Sequence, residues 1–434
     1  MPSTPPQSPQ RHSLVPDKRL LEGRNSGGRD DGIELPPHLL GFQHHTVIGY
    51  EGLKRLALMV TPEGDGSFRD QAWEAISTLR AILLQQDEPM TVTMQTVFID
   101  EIAHVPIARQ VFEAYYGENM PLTLFVVQPP CDGRGLAIEA WAISTKTADV
   151  CFVGSHVVTV AHNDMRWVYA SAGELDLGHA TAYEQSAQAF ENLRSVLAGA
   201  GTSFKDVLRV WLYQGSITGL EGSTERYREL NRARTDFFAR HLDNAKTRAA
   251  HNGRVVYPAS TGIGTLGEGL MTTCMTLQTD RADVDAISLE NPLQTSAFSY
   301  PKVYSEKSPK FSRAMALRAG DHVTTWVSGT ASIVDSETVH IGDVRKQAEQ
   351  TLTNIEKLIA ADNFARSGWA DAGATLADLA KVRVYVKHAA DYAVCREVCE
   401  ERLGRIPAIY AQADVCRPDL LIEIEGVAFS PLRK

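Results

Sequence analysis

The segment ADVCRPDLLIEIEG, residues 413–426, sets a cysteine and two glutamates among leucines and isoleucines. Its second half alternates as a buried strand does, and successive strand residues face opposite sides. Glu423 and Glu425 therefore share one face, and Ile422 and Ile424 the other. Two readings of the carboxylates stand side by side. A carboxyl buried at an interface is pushed toward its neutral form by desolvation and can deliver a proton near neutral pH. A pair on a solvated sheet face, or held in salt bridges, does no chemistry.

Other chemistries find less support. The six cysteines include no CxxC, which argues against both zinc and disulfides. Cys395 and Cys399 lie four apart, as residues on one helical face do, and His44-His45 has no cluster of ligating residues nearby. The net charge of -10 offers no basic face for phosphates, so nucleic acid is not an expected partner. No apolar run approaches the length of a membrane span. Residues 1–39 are rich in Pro, Ser, Gly and charge, lack the apolar core of a signal peptide, and read as a disordered tail. A cytoplasmic protein is expected.

The elements that must position Glu423 come as a repeat. Gln185, Gln188 and Asn192 have the spacing of Gln347, Gln350 and Asn354, and Asp206, Val210 and Tyr213 follow as Asp378, Val382 and Tyr385 do. The later copy carries extra residues around FARSGWAD, and a fainter copy starts at Gln71. Each copy reads as a strand pair, an amphipathic helix, an alternating strand, a second helix and a closing strand. The helix stripe shows in Ala348, Leu352, Ile355 and Leu358. The fold class is α+β, with three consecutive β-β-α-β-α-β units over 40–146, 150–281 and 295–434.

This order, closing on an IEIEGVA-type strand, resembles the Rid/YjgF (chorismate mutase-like) family, whose small domains form trimers with sites between neighbours. Three units in one chain then imply a covalent pseudo-trimer and a monomeric protein. Rid imine deaminases pair an arginine in a PAR segment with a glutamate on the last strand. That glutamate aligns with Glu139 in unit one and Glu423 in unit three, while unit two has Thr273. The arginine is replaced by Thr123 or Leu124 in unit one and by Ile409 in unit three. Without the guanidinium an imino acid has no bidentate clamp on its carboxylate. Imine deamination is not expected.

From about residue 250 onward the chain is similar to the chorismatases, through VVYPASTGIG, AFSYPKVYSEKSPKFSRAMAL, VSGTASIVDSETVHIGDVRKQAEQTLTNIEKLI and IYAQADVCRPDLLIEIEG. The resemblance implies hydrolysis of chorismate without metal or organic cofactor, with Glu423 protonating the enolpyruvyl methylene. Gly329 and Cys416 match the group that forms 3-hydroxybenzoate, the glycine leaving space beside the ring and the cysteine assisting arene-oxide opening. Otherwise Cys416 is a small buried apolar residue. Arg396, Arg248 and Tyr300 match substrate-binding positions, whereas Arg313 and Arg417 read equally well as structural. The pocket is expected between units two and three, and unit one is expected to be structural. The alternatives are a chorismatase that gives a dihydroxycyclohexadiene carboxylate plus pyruvate, and a non-catalytic Rid-like module that binds small carboxylates.

Overall fold

The computed structural model describes residues 39–175, 180–242, 256–301 and 307–433. Three six-stranded sheets follow one another along the chain with the same strand order. In the third, the order across the sheet is Asp285–Leu289, Ala314–Ala319, His322–Ala331, Ile422–Pro431, Leu379–Val386, Ala408–Gln412. The closing strand Ile422–Pro431 is thus interior, antiparallel to both neighbours. Leu136–Ser144 and Leu270–Thr279 hold the same place in units one and two.

The expected β-β-α-β-α-β pattern is short of strands. Each unit has one more before its closing strand, Leu122–Val127, Ala259–Thr265 or Ala408–Gln412, parallel to the strand after the first helix. Each also begins with an edge strand, and the third sheet's edge strand, Asp285–Leu289, precedes the expected start at 295. The missed pieces are short, and ASTGIGT carries two glycines among its seven residues, which weakens its strand signal.

The repeated glutamine has a mechanical reason. Gln347 Nε2 donates to the Asp419 carbonyl (2.9 Å), and its Oε1 accepts from the Leu421 N–H (2.8 Å). Gln71 Oε1 accepts from the Gly135 N–H at 2.8 Å. In units one and three the first helix therefore grips the turn that enters the closing strand. Asn354 does the same for the preceding strand, donating to the carbonyls of Ala331 and Ile333. The extra residues of unit three form a short helix, Ala361–Arg366, whose Phe364 packs beside Trp369 in that unit's core.

Three apolar clusters each join the helices of one unit to the outer face of its own sheet. A fourth draws on all three sheets, with Met59, Trp167 and Trp326 among its members. The sheets therefore face one another around a shared core, with helices outside. No helix of the described residues is long and apolar enough to cross a membrane.

Candidate active site between units two and three

A cavity of about 370 Å³ opens where the helix Arg226–His241 and the strand Ala259–Thr265 of unit two meet unit three. Glu423, Cys416, Gly329 and Tyr300 all line it. Residues far apart in sequence meet there because the closing strand of unit three runs up to the wall supplied by unit two.

Glu423 is 4% exposed, and among the described residues it forms no ion pair. Burial, helped by the neighbouring Glu425, pushes its carboxyl up to about 8, against the pull of Arg209 and Arg313. It is therefore a neutral acid at neutral pH. Glu425 is equally buried but clasped: Arg209 Nη2 lies at 2.5 Å and Arg383 Nη1 at 3.0 Å. Trp211 Nε1 (3.2 Å), the Tyr385 hydroxyl (3.3 Å) and the Thr261 hydroxyl also donate to it.

Gly329 makes the space that Glu423 occupies. A Cβ at this position would collide with the Glu423 carboxyl and approach Thr261 Cγ2 to 3.1 Å. Its N–H donates to Thr261 Oγ1 at 2.9 Å, which ties the strand bulge opposite Glu425 to unit two. The resemblance gave the glycine the task of making room beside a substrate ring; here the room is taken by the acid itself.

Cys416 is half-buried, and desolvation followed by Glu423 pushes its thiol up to about 12. It is a neutral S–H rather than a thiolate. Across the cavity, Tyr300 lies between two guanidinium groups. Arg313 donates to its hydroxyl and sits 5.5 Å from the ring centroid, with Arg417 at 5.2 Å. Arg417 Nη1 is fixed by the Ser336 carbonyl at 2.9 Å. From unit two, Arg234 donates to Asn231 Oδ1 at 2.5 Å and lies over the Phe311 ring. Such a wall can take up carboxylates, while the single neutral acid can supply a proton.

Two expectations about residues need correction, and one lies beyond reach. Arg396 is not among the residues lining the cavity: its guanidinium pairs with Glu400 at 2.8 Å, beside Tyr392, and is half exposed. Arg248 lies outside the described residues. Glu139 does not hold the register place of Glu423. Glu139 faces Thr96 and Glu425 faces Arg383, each opposite the third residue past a bulge, whereas Glu423 corresponds to Ala137. Glu139 is buried against Lys381 and Arg383 of unit three, an ion-paired strut between units.

The cationic residues undervalued from sequence are Arg313, Arg417 and Arg234. Arg234 had a legible signal. Leu230, Ala233, Phe237 and Phe238 form the buried stripe of its helix, and Arg234 falls within that stripe. A cation at such a position has a buried task.

Comparison with known proteins adds family to geometry. Residues 139–276 match the family described as chorismatase FkbO/Hyg5-like, N-terminal, and residues 306–430 match endoribonuclease L-PSP. The chain is 37% identical over 232 residues to a 3-hydroxybenzoate synthase of Streptomyces hygroscopicus, covering 52% of this chain and 64% of the relative. A chorismatase of Streptomyces rapamycinicus is 38% identical over 229 residues, with the same shares. The chain thus spans slightly less than two thirds of these relatives. A RutC family protein of Pyrococcus abyssi is 32% identical over 133 residues, 29% of this chain and 94% of that protein. A crystal structure of a chorismatase shares the fold, with a TM-score of 0.62 at 22% identity over 86% of this chain and 98% of that one.

Proposed function

Because the chain belongs to the Rid/YjgF superfamily and carries the N-terminal domain of its chorismatase branch, we propose that it cleaves chorismate to 3-hydroxybenzoate and pyruvate in the cleft between units two and three. The observation that carries this reading is Glu423, a neutral buried acid with space cleared for it by Gly329 and arginines facing it.

Chorismate brings two carboxylates, and Arg313, Arg234 and Arg417 supply the compensating charge. Glu423 transfers its proton to the methylene carbon of the enolpyruvyl group. The ether bond to the ring then breaks, pyruvate departs, and the ring hydroxyl closes on the vacated carbon as an arene oxide, its proton passing to the Glu423 carboxylate. Opening of the oxide, assisted by the neutral Cys416 thiol, and loss of a ring proton give 3-hydroxybenzoate. The atoms balance without net uptake of water, and the hydroxyl proton restores the acid. Nothing in these steps needs a metal or organic cofactor. Three units in one chain close the ring, so one copy suffices.

The product assignment leans on Cys416 and on the 3-hydroxybenzoate synthase of Streptomyces hygroscopicus. The test is incubation of the purified full chain with chorismate, with aromatic products separated by chromatography and pyruvate measured in parallel. Equal amounts of 3-hydroxybenzoate and pyruvate are expected. A diene-diol with pyruvate would reassign the product, and absence of pyruvate would leave a carboxylate-binding module.

A further inference from the structure

On the shared axis, away from the cleft, lies a smaller cavity of about 60 Å³, walled by all three units. Its charges do not balance. Arg209, Lys381 and Arg383 are 2–3% exposed, and they face two carboxylates, Glu139 and Glu425, each 4% exposed. Arg55 adds a fourth cation to the wall. Glu425 already accepts from Arg209, Arg383, Trp211, Tyr385 and Thr261, and Glu139 is spent on Lys381 and Arg383. An uncompensated charge this far from water is costly.

The polar atoms left over on this wall are mainly donors. Arg209 Nη1, Arg383 Nε and Trp167 Nε1 are buried with no hydrogen-bond partner among the described residues. His162 adds another. Burial first, then Arg55, pushes its imidazole down to about 3, so it is neutral. Its Nε2 lies 3.3 Å from Arg55 Nη2 and must accept there, which leaves the hydrogen on Nδ1, also buried and unpartnered. A water offers its oxygen to such donors, but the two carboxylates that could take its hydrogens are already ion-paired. A cation is excluded by the sign of the wall. The volume suffices for an ion together with a little water, since a single water needs roughly 10–15 Å³ by this measure.

We propose that this axial cavity binds a small monovalent anion, of the halide class, against Arg209, Arg383, Trp167 and His162. The ion joins the three units electrostatically at the point where the sheets converge. It acts on the folded protein and takes no part in the chemistry of the cleft, so it stands whichever reaction the cleft performs.

Crystals grown or soaked in bromide give the direct test: anomalous density is expected inside the cavity. In solution, sodium chloride and sodium gluconate are compared at equal, low ionic strength. Chloride should raise the melting temperature in a saturable way, by at least about 2 °C over gluconate, as a ligand selective for the folded state does. Trp167→Phe removes one donor while keeping the ring packing and should weaken the chloride dependence; Arg209→Met should abolish it if the variant folds. A cavity that holds only water in the bromide crystal overturns the proposal. So does a melting temperature that follows ionic strength whichever anion is present.

Discussion

Glu423 and Glu425 face the same side of the strand Ile422–Pro431, yet Glu425 is clasped by Arg209 and Arg383 while Glu423 is paired with neither. Two identical side chains two residues apart are thus split into a fixed carboxylate and a neutral acid. The division comes from the partner units: unit two supplies Arg209, and Glu423 looks past it into the cleft.

Glu423→Gln tests the acid. The amide has the same size but no proton to give, and loss of a general acid costs on the order of 10²–10⁴ in rate. Pyruvate release should fall by that factor while chorismate binding and the circular dichroism spectrum stay unchanged. Near-normal turnover would move the proton donor elsewhere.

The raised pKa sets two pH dependences. With Glu423 as the proposed proton donor, kcat/KM should hold level at lower pH and decline through about 8. For stability, the folded state binds this proton more tightly than the unfolded chain does. The contribution is complete below the ordinary carboxylate range, near 4.5, and is lost as pH rises toward about 8. Melting temperatures of the wild type and Glu423→Gln should therefore separate over that interval, the wild type falling the more steeply. Parallel curves would place the titration in another group.

Gly329→Ala should act through Glu423. Gly329 has no positive φ, so backbone strain is not at issue; the added methyl simply meets the carboxyl. A rate loss of about 10²-fold is expected, with the melting temperature little changed. In the double variant with Glu423→Gln the two losses should not add, because both remove the same proton transfer. Additive losses would mean that the glycine serves the substrate rather than the acid.

The repeat, the sheet-and-helix order and the strand bearing Glu423 were legible because they rest on local periodicity. The strand ASTGIGT was not, since glycines carry no side-chain pattern and its pairing is decided by the neighbouring strand Val207–Gly215. The site was half legible. Glu423, Gly329, Cys416 and Tyr300 lie in the cleft, but the cations beside them depend on how one unit's helix meets another unit's loops. That is long-range geometry with no local mark, except for Arg234 in an apolar stripe. The match of Glu139 to Glu423 failed for a related reason: a shift of two residues keeps a glutamate on the same face, so periodicity cannot detect it.

Arg396 and Arg313 offer a matched pair. Arg396→Ala removes an exposed guanidinium held by Glu400, and such surface pairs contribute about 0–1 kcal/mol. KM for chorismate should change by less than about 2-fold. Arg313→Lys keeps a charge but loses the planar fork that holds Tyr300, and KM should rise about 10-fold or more. A large effect at Arg396 with none at Arg313 would relocate the substrate.

Cys416→Ala tests the proposed product assignment. If the cysteine only packs, the variant should lose on the order of 1 kcal/mol from a small cavity and leave the aromatic product unchanged. If its thiol assists oxide opening, the ether should still break, because Glu423 remains to protonate the enol. Pyruvate should then form at a comparable rate while 3-hydroxybenzoate falls and a diene-diol or an isomeric hydroxybenzoate takes its place. Burial holds the thiol up to about 12, so the assistance comes from the S–H form and should show no inflection of its own between pH 6 and 9. Chromatography of the aromatic products, with pyruvate quantified in the same samples, separates the two cases. An unaltered ratio of 3-hydroxybenzoate to pyruvate in the Ala variant would reduce Cys416 to packing and leave the choice of product to the shape of the cleft.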